Sequence, residues 1–374
     1  MLTVLSVIGT RPEAIKMAPV VNELGRWADR VRSVVCVTSQ HREMLDQVLR
    51  LFDIRPDYDL DLMRPDQTLS ELTASLFSGL DPVVRRTHPD WVLAQGDTTT
   101  VLVAGLVAFY SRIPFGHVEA GLRTGDLARP FPEEMNRRVA DGLAHLLFAP
   151  TERARQALLR EGADDEAILV TGNTVIDALL AVAAQPYDWT HGPLAALPGQ
   201  GRLVVVTAHR RESFGEPFRG LCLAIRDLAR EFAPAGVHVV YPVHLNPNVQ
   251  TPVKEILSGL PNVHLLEPLD YASMVHLMQR AALLLTDSGG IQEEAPSLGV
   301  PVLVLRDVTE RPEAVEAGVV RVVGTSRDRI VAEARRLLTD AAAHRAMATR
   351  VNPYGDGKAA ARIVAALLER SRRG

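Results

Sequence analysis

At 374 residues the chain is longer than one ordinary core supports, so two domains of similar size are expected. With 47% hydrophobic and 23% charged residues it reads as an ordinary globular protein, and a formal net charge of -4 gives no basic field for nucleic acid. The longest apolar run, 101–110, is half of the ~20 residues that span a bilayer. Two cysteines, Cys36 in a strand pattern and Cys222 in a helix pattern, make neither a disulfide framework nor a metal cluster. Both are expected to be buried and reduced, as in a cytoplasmic protein.

Leu2–Ile8 reads as a first strand rather than a signal peptide, because it lacks a basic leader and runs straight into a charged motif. In that motif, Gly9-Thr10-Arg11-Pro12-Glu13-Ala14-Ile15-Lys16, Pro12 suits a helix's first turn. Arg11 then sits at the strand-to-helix turn and Lys16 about one turn further on, two cations beside a helix N-terminus. No G-x-G-x-x-G follows this strand, so no nicotinamide cofactor is expected. A second strand is read at 31–39, a helix at 68–87, and a further strand at 91–94 ending in Gln95-Gly96-Asp97-Thr98. Asp97 alone would pass for an N-cap. After the strand at 115–118, Glu119 is harder to explain structurally, since glutamate caps helices poorly. Glu133 and Glu134 follow Pro132 and fit the acidic first turn of a helix, with Arg137 and Arg138 just beyond them.

Strand and helix patterns alternate to about residue 184. The stretch 185–201, with Pro186, Gly192, Pro193, Pro198, Gly199 and Gly201, breaks the rhythm and is read as a linker. The expected organisation is therefore 1–184, linker 185–201, a second α/β domain 202–356, and a C-terminal helix 357–374 packing back on the first domain. In the second domain, the strand at 202–207 ends in His209-Arg210-Arg211-Glu212, where the donors His209, Arg210 and Arg211 suit an anion better than a core. The apolar run 281–285 leads into Thr286-Asp287-Ser288-Gly289-Gly290-Ile291-Gln292-Glu293-Glu294. Strand, glycine pair and helix start together favour a phosphate, while Glu294 is placed to meet a ribose diol. The strand at 301–305 ends in a charged cluster from Arg306 to Glu313 that includes Arg311. Polar residues past the carboxyl ends of parallel strands lie where open α/β sheets hold ligands, so two Rossmann-like domains are expected to face each other across a cleft. The second would hold a nucleotide diphosphate and the first would present Asp97, Glu119 and Glu133, with Arg11 and Lys16, to a sugar. No metal-ligand spacing occurs, which leaves the cations to neutralise the diphosphate.

Gly-Thr-Arg-Pro-Glu at 9–13, Gln-Gly-Asp-Thr at 95–98, His-Val-Glu-Ala-Gly-Leu-Arg-Thr at 117–124, Pro-Glu-Glu-Met-Asn-Arg at 132–137, His-Arg-Arg-Glu at 209–212 and the stretches 286–299 and 306–314 closely resemble the non-hydrolysing UDP-N-acetylglucosamine 2-epimerases. The resemblance implies the two-domain glycosyltransferase-B-type fold, interconversion of UDP-GlcNAc and UDP-ManNAc for cell-surface polysaccharide precursors, a homodimer, and no nicotinamide or metal cofactor. Carried over motif by motif, it implies catalytic roles for Asp97, Glu119, Glu133 and His209. Arg11, Lys16, Arg137, Ser288, Gly289, Gly290, Glu294 and Arg311 would bind substrate, with Leu269 and Met274 near the uracil. Bacterial members can also bind UDP-GlcNAc as an activator, which would implicate Gln40, Gln67, Arg210 and His244, although Asp66 stands where some members carry a basic residue. A hydrolysing epimerase and a glycosyltransferase of the same architecture remain the alternatives. Closure of the domains, hinged at the linker and the tail helix, would keep water from the reaction.

Overall fold

The computed structural model describes residues 1–38, 42–64 and 66–371. They form two compact units, one of residues 1–178 with 354–374 and one of residues 179–353. The first unit holds β1 (Leu2–Ile8), β2 (Val31–Val37), β3 (Tyr58–Asp59), β4 (Trp91–Gln95), β5 (Phe115–Val118), β6 (Leu146–Ala149) and β7 (Ile168–Val170). The second holds β8 (Arg202–Thr207), β9 (Val237–Pro242), β10 (Val263–Leu266), β11 (Ala281–Thr286), β12 (Val302–Val304) and β13 (Val320–Val322).

Every strand pairing is parallel, in the orders β3-β2-β1-β4-β5-β6-β7 and β10-β9-β8-β11-β12-β13. Parallel strands need crossover helices on both faces, and so their interior residues are apolar in continuous runs rather than alternating. All of β4 and β5 is buried for this reason. In the first unit Leu5, Val7, Val34, Val92 and Phe115 of the sheet pack with Leu76, Leu80, Val103 and Val107 of the helices Leu69–Thr87 and Thr99–Tyr110. In the second, Val204, Val206, Val239, Leu283 and Leu303 pack with Phe218, Leu221, Ile225, Ile330 and Leu337.

The helices start where side chains satisfy their free N–H groups. Thr10 and Glu13 form a capping box on Arg11–Gly25, and Thr68 and Glu71 form another on Leu69–Thr87. Residues 185–201, expected as a linker, contain no helix or strand and lie in the second unit. There the Tyr187 and Ser273 hydroxyls are 2.9 Å apart, and the Arg280 guanidinium lies 4.5 Å from the Trp189 ring. The C-terminal helix, Ala359–Arg370, belongs to the first unit, where Ala359 and Ala360 donate backbone N–H bonds to Asp177.

These strand orders decide where chemistry collects. The order reverses between β1 and β4 in the first sheet and between β8 and β11 in the second. At such a switch point the loops leave in opposite directions and open a crevice at the carboxyl ends of the strands.

Candidate functional site

In the first unit, Gly9, Thr10 and Arg11 follow β1, and Gly96 and Asp97 follow β4, on either side of the switch point. Glu119 follows β5 with φ 68°, a left-handed conformation that costs a residue with a Cβ about 1–3 kcal/mol. Its side chain is buried and surrounded by donors. Lys16 Nζ lies 2.7 Å from both carboxylate oxygens, Asn173 Nδ2 donates to Oε1 at 2.8 Å, and Gln95 Nε2 donates to Oε2. Each of these groups only donates here, so the carboxyl they hold is the ionised one. Lys16, expected to bind substrate beside Arg11, is thus paired with Glu119.

Asp97 is half-buried. One of its carboxylate oxygens pairs with Arg137 Nη2, and its backbone carbonyl accepts a 2.9 Å bond from Asn136 Nδ2. Arg137 also lies 3.4 Å from the fully buried Glu134, which accepts N–H bonds from Thr124 and Gly125. Of the two adjacent acids, Glu134 therefore holds the loop. Glu133, the first residue of helix Glu133–Leu143, is half-buried and makes no hydrogen bond or ion pair among the described residues. Arg11 is exposed, also without an ion pair among the described residues.

A buried histidine braces the Asp97 turn. His117 Nε2 lies 2.7 Å from the Gly96 carbonyl and Nδ1 lies 2.6 Å from Asp141, so both ring nitrogens face acceptors and the ring carries two protons. Burial opposes that charge, but Asp141, the Gly96 carbonyl and Asp97 together outweigh it and the His117 pKa is raised. Asp141 shows the complement: burial pushes it up, yet His117 and Arg123 hold it below the usual carboxylate range.

In the second unit, His209 and Arg210 follow β8, and Asp287, Ser288, Gly289 and Gly290 follow β11. Asp287, nearly inaccessible, accepts backbone N–H bonds from His209 at 2.6 Å and Arg210 at 2.7 Å and so ties the two strand ends together. The His209 ring stacks on His244 with centroids 5.1 Å apart. Burial lowers the His209 pKa; Asp287 pulls the other way, and His244 and Arg210 add to the lowering. A Cβ on Gly289 or Gly290 would meet nothing nearer than 3.7 Å and 4.0 Å, so the protein's own packing does not require glycine there. Open backbone at a helix start is the form an approaching oxyanion needs.

The 306–313 loop is tied to helix Gly289–Glu294 by Arg311 on Glu293 and by the Thr309 hydroxyl on Gln292 at 2.5 Å. Glu294 is buried and accepts a 2.8 Å bond from the Tyr271 hydroxyl, a residue outside every motif. Leu269 and Met274 are half-buried, before and within helix Tyr271–Gln279. Of the four candidate activator residues, Gln67 belongs to the first unit, where it bonds Ser75, and Arg210 and His244 belong to the second. Gln40 lies outside the described residues.

Two all-parallel α/β units, each with polar strand ends at its switch point, define the glycosyltransferase-B-type class. Residues 26–368 match the family model described as UDP-N-acetylglucosamine 2-epimerase. Enzymes of that name from Yersinia pestis and Escherichia coli K12 are 56% and 55% identical, each over 98% of this chain and 98% of their own. The crystal structure of UDP-GlcNAc 2-epimerase from Neisseria meningitidis bound to UDP-GlcNAc superposes with a TM-score of 0.86 and 47% identity, covering 98% of this chain and all of that one. The chain belongs to the UDP-N-acetylglucosamine 2-epimerase family.

Proposed function

We propose that the protein interconverts UDP-GlcNAc and UDP-ManNAc by eliminating and re-adding UDP, keeping the sugar attached to the nucleotide in its product. The observation that carries this reading is the buried Glu119 carboxyl, held among Lys16, Gln95 and Asn173 at the end of β5. The hydrogen on C2 of the hexose is not next to a carbonyl, so direct deprotonation is inaccessible. Cleaving the C1–O bond and losing the C2 proton instead forms a C1–C2 double bond, giving 2-acetamidoglucal and UDP. Return of the proton to the opposite face, with UDP re-added at C1, completes the inversion. In α-linked UDP-GlcNAc the leaving oxygen and the C2 hydrogen are trans-diaxial, whereas in UDP-ManNAc they lie on the same side. One direction is an anti elimination and the other syn, which calls for more than one acid or base.

The buried Glu119 anion would stabilise positive charge developing at C1. The more accessible Asp97 and Glu133 would carry the proton on the two faces. The second unit would hold UDP, with Ser288, Gly289, Gly290 and Arg311 on the diphosphate, Glu294 on the ribose, and Leu269 and Met274 near the base. His209, whose pKa burial lowers, would neutralise the departing phosphate oxygen, because the arriving anion favours its protonated form.

Incubating UDP-GlcNAc alone in deuterium oxide tests the scheme. UDP-ManNAc labelled at C2 is expected. An unlabelled product ends the elimination route, free ManNAc makes the enzyme a hydrolysing one, and turnover only with an added acceptor makes it a glycosyltransferase. A homodimer is proposed as well. On the adjoining helices Thr99–Tyr110 and Glu133–Leu143, Phe109, Tyr110, Met135 and Val139 are exposed at 57%, 70%, 38% and 37%, apolar side chains that a second copy would cover. Light scattering should read twice the 40.8 kDa chain mass.

A further inference from the structure

Asn173 lies in the loop between β7 and helix Thr174–Ala183, outside every motif that marks the site, and it is almost wholly buried. All of its polar groups are engaged. Its amide Nδ2 donates to Glu119 Oε1 at 2.8 Å, its Oδ1 accepts from Val175 N–H at 3.1 Å, and its backbone N–H donates to the Tyr354 carbonyl at 2.6 Å. Gly172 beside it has φ 86°, and a Cβ there would come within 3.1 Å of Gly355 Cα and 3.3 Å of the Tyr354 carbonyl. The chain that returns to the first unit at residue 354 therefore touches the loop through backbone atoms, and so leaves the Asn173 side chain little freedom.

We infer that Asn173 is a positioning residue for the reaction: anchored by the returning chain at Tyr354, it fixes the rotamer of Glu119 and keeps its carboxylate ionised. The inference rests on the catalytic role proposed for Glu119. A donor to the charged form lowers a carboxyl's proton affinity, and a fixed donor does so without reorganising during the reaction. Lys16 supplies charge from another direction. Asn173 supplies direction, because a planar amide already bonded at Oδ1 presents Nδ2 at one angle only.

Two variants separate positioning from mere support of the fold. In Asn173→Ala the donor is lost. The expected kcat falls about 10- to 100-fold with KM within about threefold, and the low-pH limb of the rate profile moves up by about half a unit or more. Asn173→Asp is isosteric, keeps the acceptor for Val175 N–H, and sets a second carboxyl against Glu119. Two carboxyls sharing one proton restore a donor only on acidification, so this variant should gain relative to Asn173→Ala as pH falls and lose at pH 8. Three pH profiles that overlay after scaling, or a KM effect equal to the kcat effect, would overturn the inference.

A readout independent of turnover is the 13C titration of the Glu119 carboxyl, assigned with Glu119→Gln, in protein labelled at glutamate. In Asn173→Ala it should move to higher pH, and an unmoved titration overturns the inference even if the wild type makes no UDP-ManNAc. Absence of UDP-ManNAc from the wild type, with that titration shifted as expected, would instead sink the functional reading alone.

Discussion

Glu119 sits in a backbone conformation that its side chain disfavours, φ 68°, and its carboxylate has donors on both oxygens. Replacing the charge while keeping the shape isolates what the anion does. Glu119→Gln should lower kcat by roughly 10²- to 10⁴-fold, in the range of a lost charge-stabilising or proton-transferring group, and leave UDP affinity by calorimetry within a few fold. A rate within tenfold of wild type would remove Glu119 from the chemistry. A glutamate directly after a strand is conspicuous in sequence because it caps poorly, which is how Glu119 stood out. Gln95, though inside the 95–98 motif, gained no role from sequence and Asn173 did not stand out, since neutral amides leave no charge pattern and these lie 24 and 54 positions away. Glu13 is a second buried acid. Burial raises its pKa to about 7, against the N–H bonds it accepts from Gly9 and Thr10. Its Oε1 is buried beside the equally buried Thr98 hydroxyl without a well-formed bond. The folded pKa exceeds the ordinary 4.5, so the folded state binds more protons between about pH 4.5 and 7 and stability falls as pH rises through that window. Glu13→Gln should therefore gain on wild type from pH 5 to pH 8, reaching about 1–3 kcal/mol in urea melts. A difference that does not change with pH would refute a raised Glu13.

At the scale of elements, helix Ala359–Arg370 begins at Lys358 without a side-chain cap of its own. Asp177 supplies the cap, accepting from Ala359 N–H at 3.2 Å and Ala360 N–H at 2.9 Å across more than 180 positions of sequence. Asp177→Ala should cost about 1 kcal/mol, the ordinary loss for a removed N-cap, and speed proteolysis within the last helix before any other segment. Cleavage spread evenly along the chain would mean that the cap does not hold this helix. Such a cap cannot be read from local sequence, whereas the boxes Thr10/Glu13 and Thr68/Glu71 can, because their members are three residues apart. Strands divide along the same line. The runs behind β1, β4, β8 and β11 are long enough to bury both faces and end in polar motifs, so their place was legible. By contrast β3, β6 and β13 have two, four and three residues. So few residues leave little room for a strand pattern to show, and β3 and β13 are only partly buried. Cys36 and Cys222 behave as their apolar surroundings suggest: burial pushes both thiols up to about 12, leaving them inert.

For the molecule as a whole, the division into two α/β halves follows from length and from charged motifs recurring at strand ends, but the proposed division of labour depends on strand order. Two switch points arise because β4 lies beside β1 and β11 beside β8, pairings that join strands 87 and 79 residues apart in register. Sequence supplies the strand ends and topology brings them together in pairs. Backbone exchange can read that division directly. Free amides at a strand end exchange readily until a ligand takes their hydrogen bonds, so protection marks where each part of the substrate is held. UDP should slow deuterium uptake at 207–213, 286–294 and 306–313, all in the second unit, and leave the first unit's strand ends near their free rates. UDP-GlcNAc should add protection at 95–98 and 119–124. Arg311→Ala, which removes one partner of Glu293 and loosens the 306–313 loop, should weaken the UDP response about 10-fold or more in ligand concentration, as expected for loss of a charge-assisted contact worth about 1.5–3 kcal/mol. If UDP instead protected the ends of β4 and β5 while β11 and its glycines exchanged freely, the nucleotide would belong to the first unit and the assignment of acids and phosphate donors to separate sheets would be wrong.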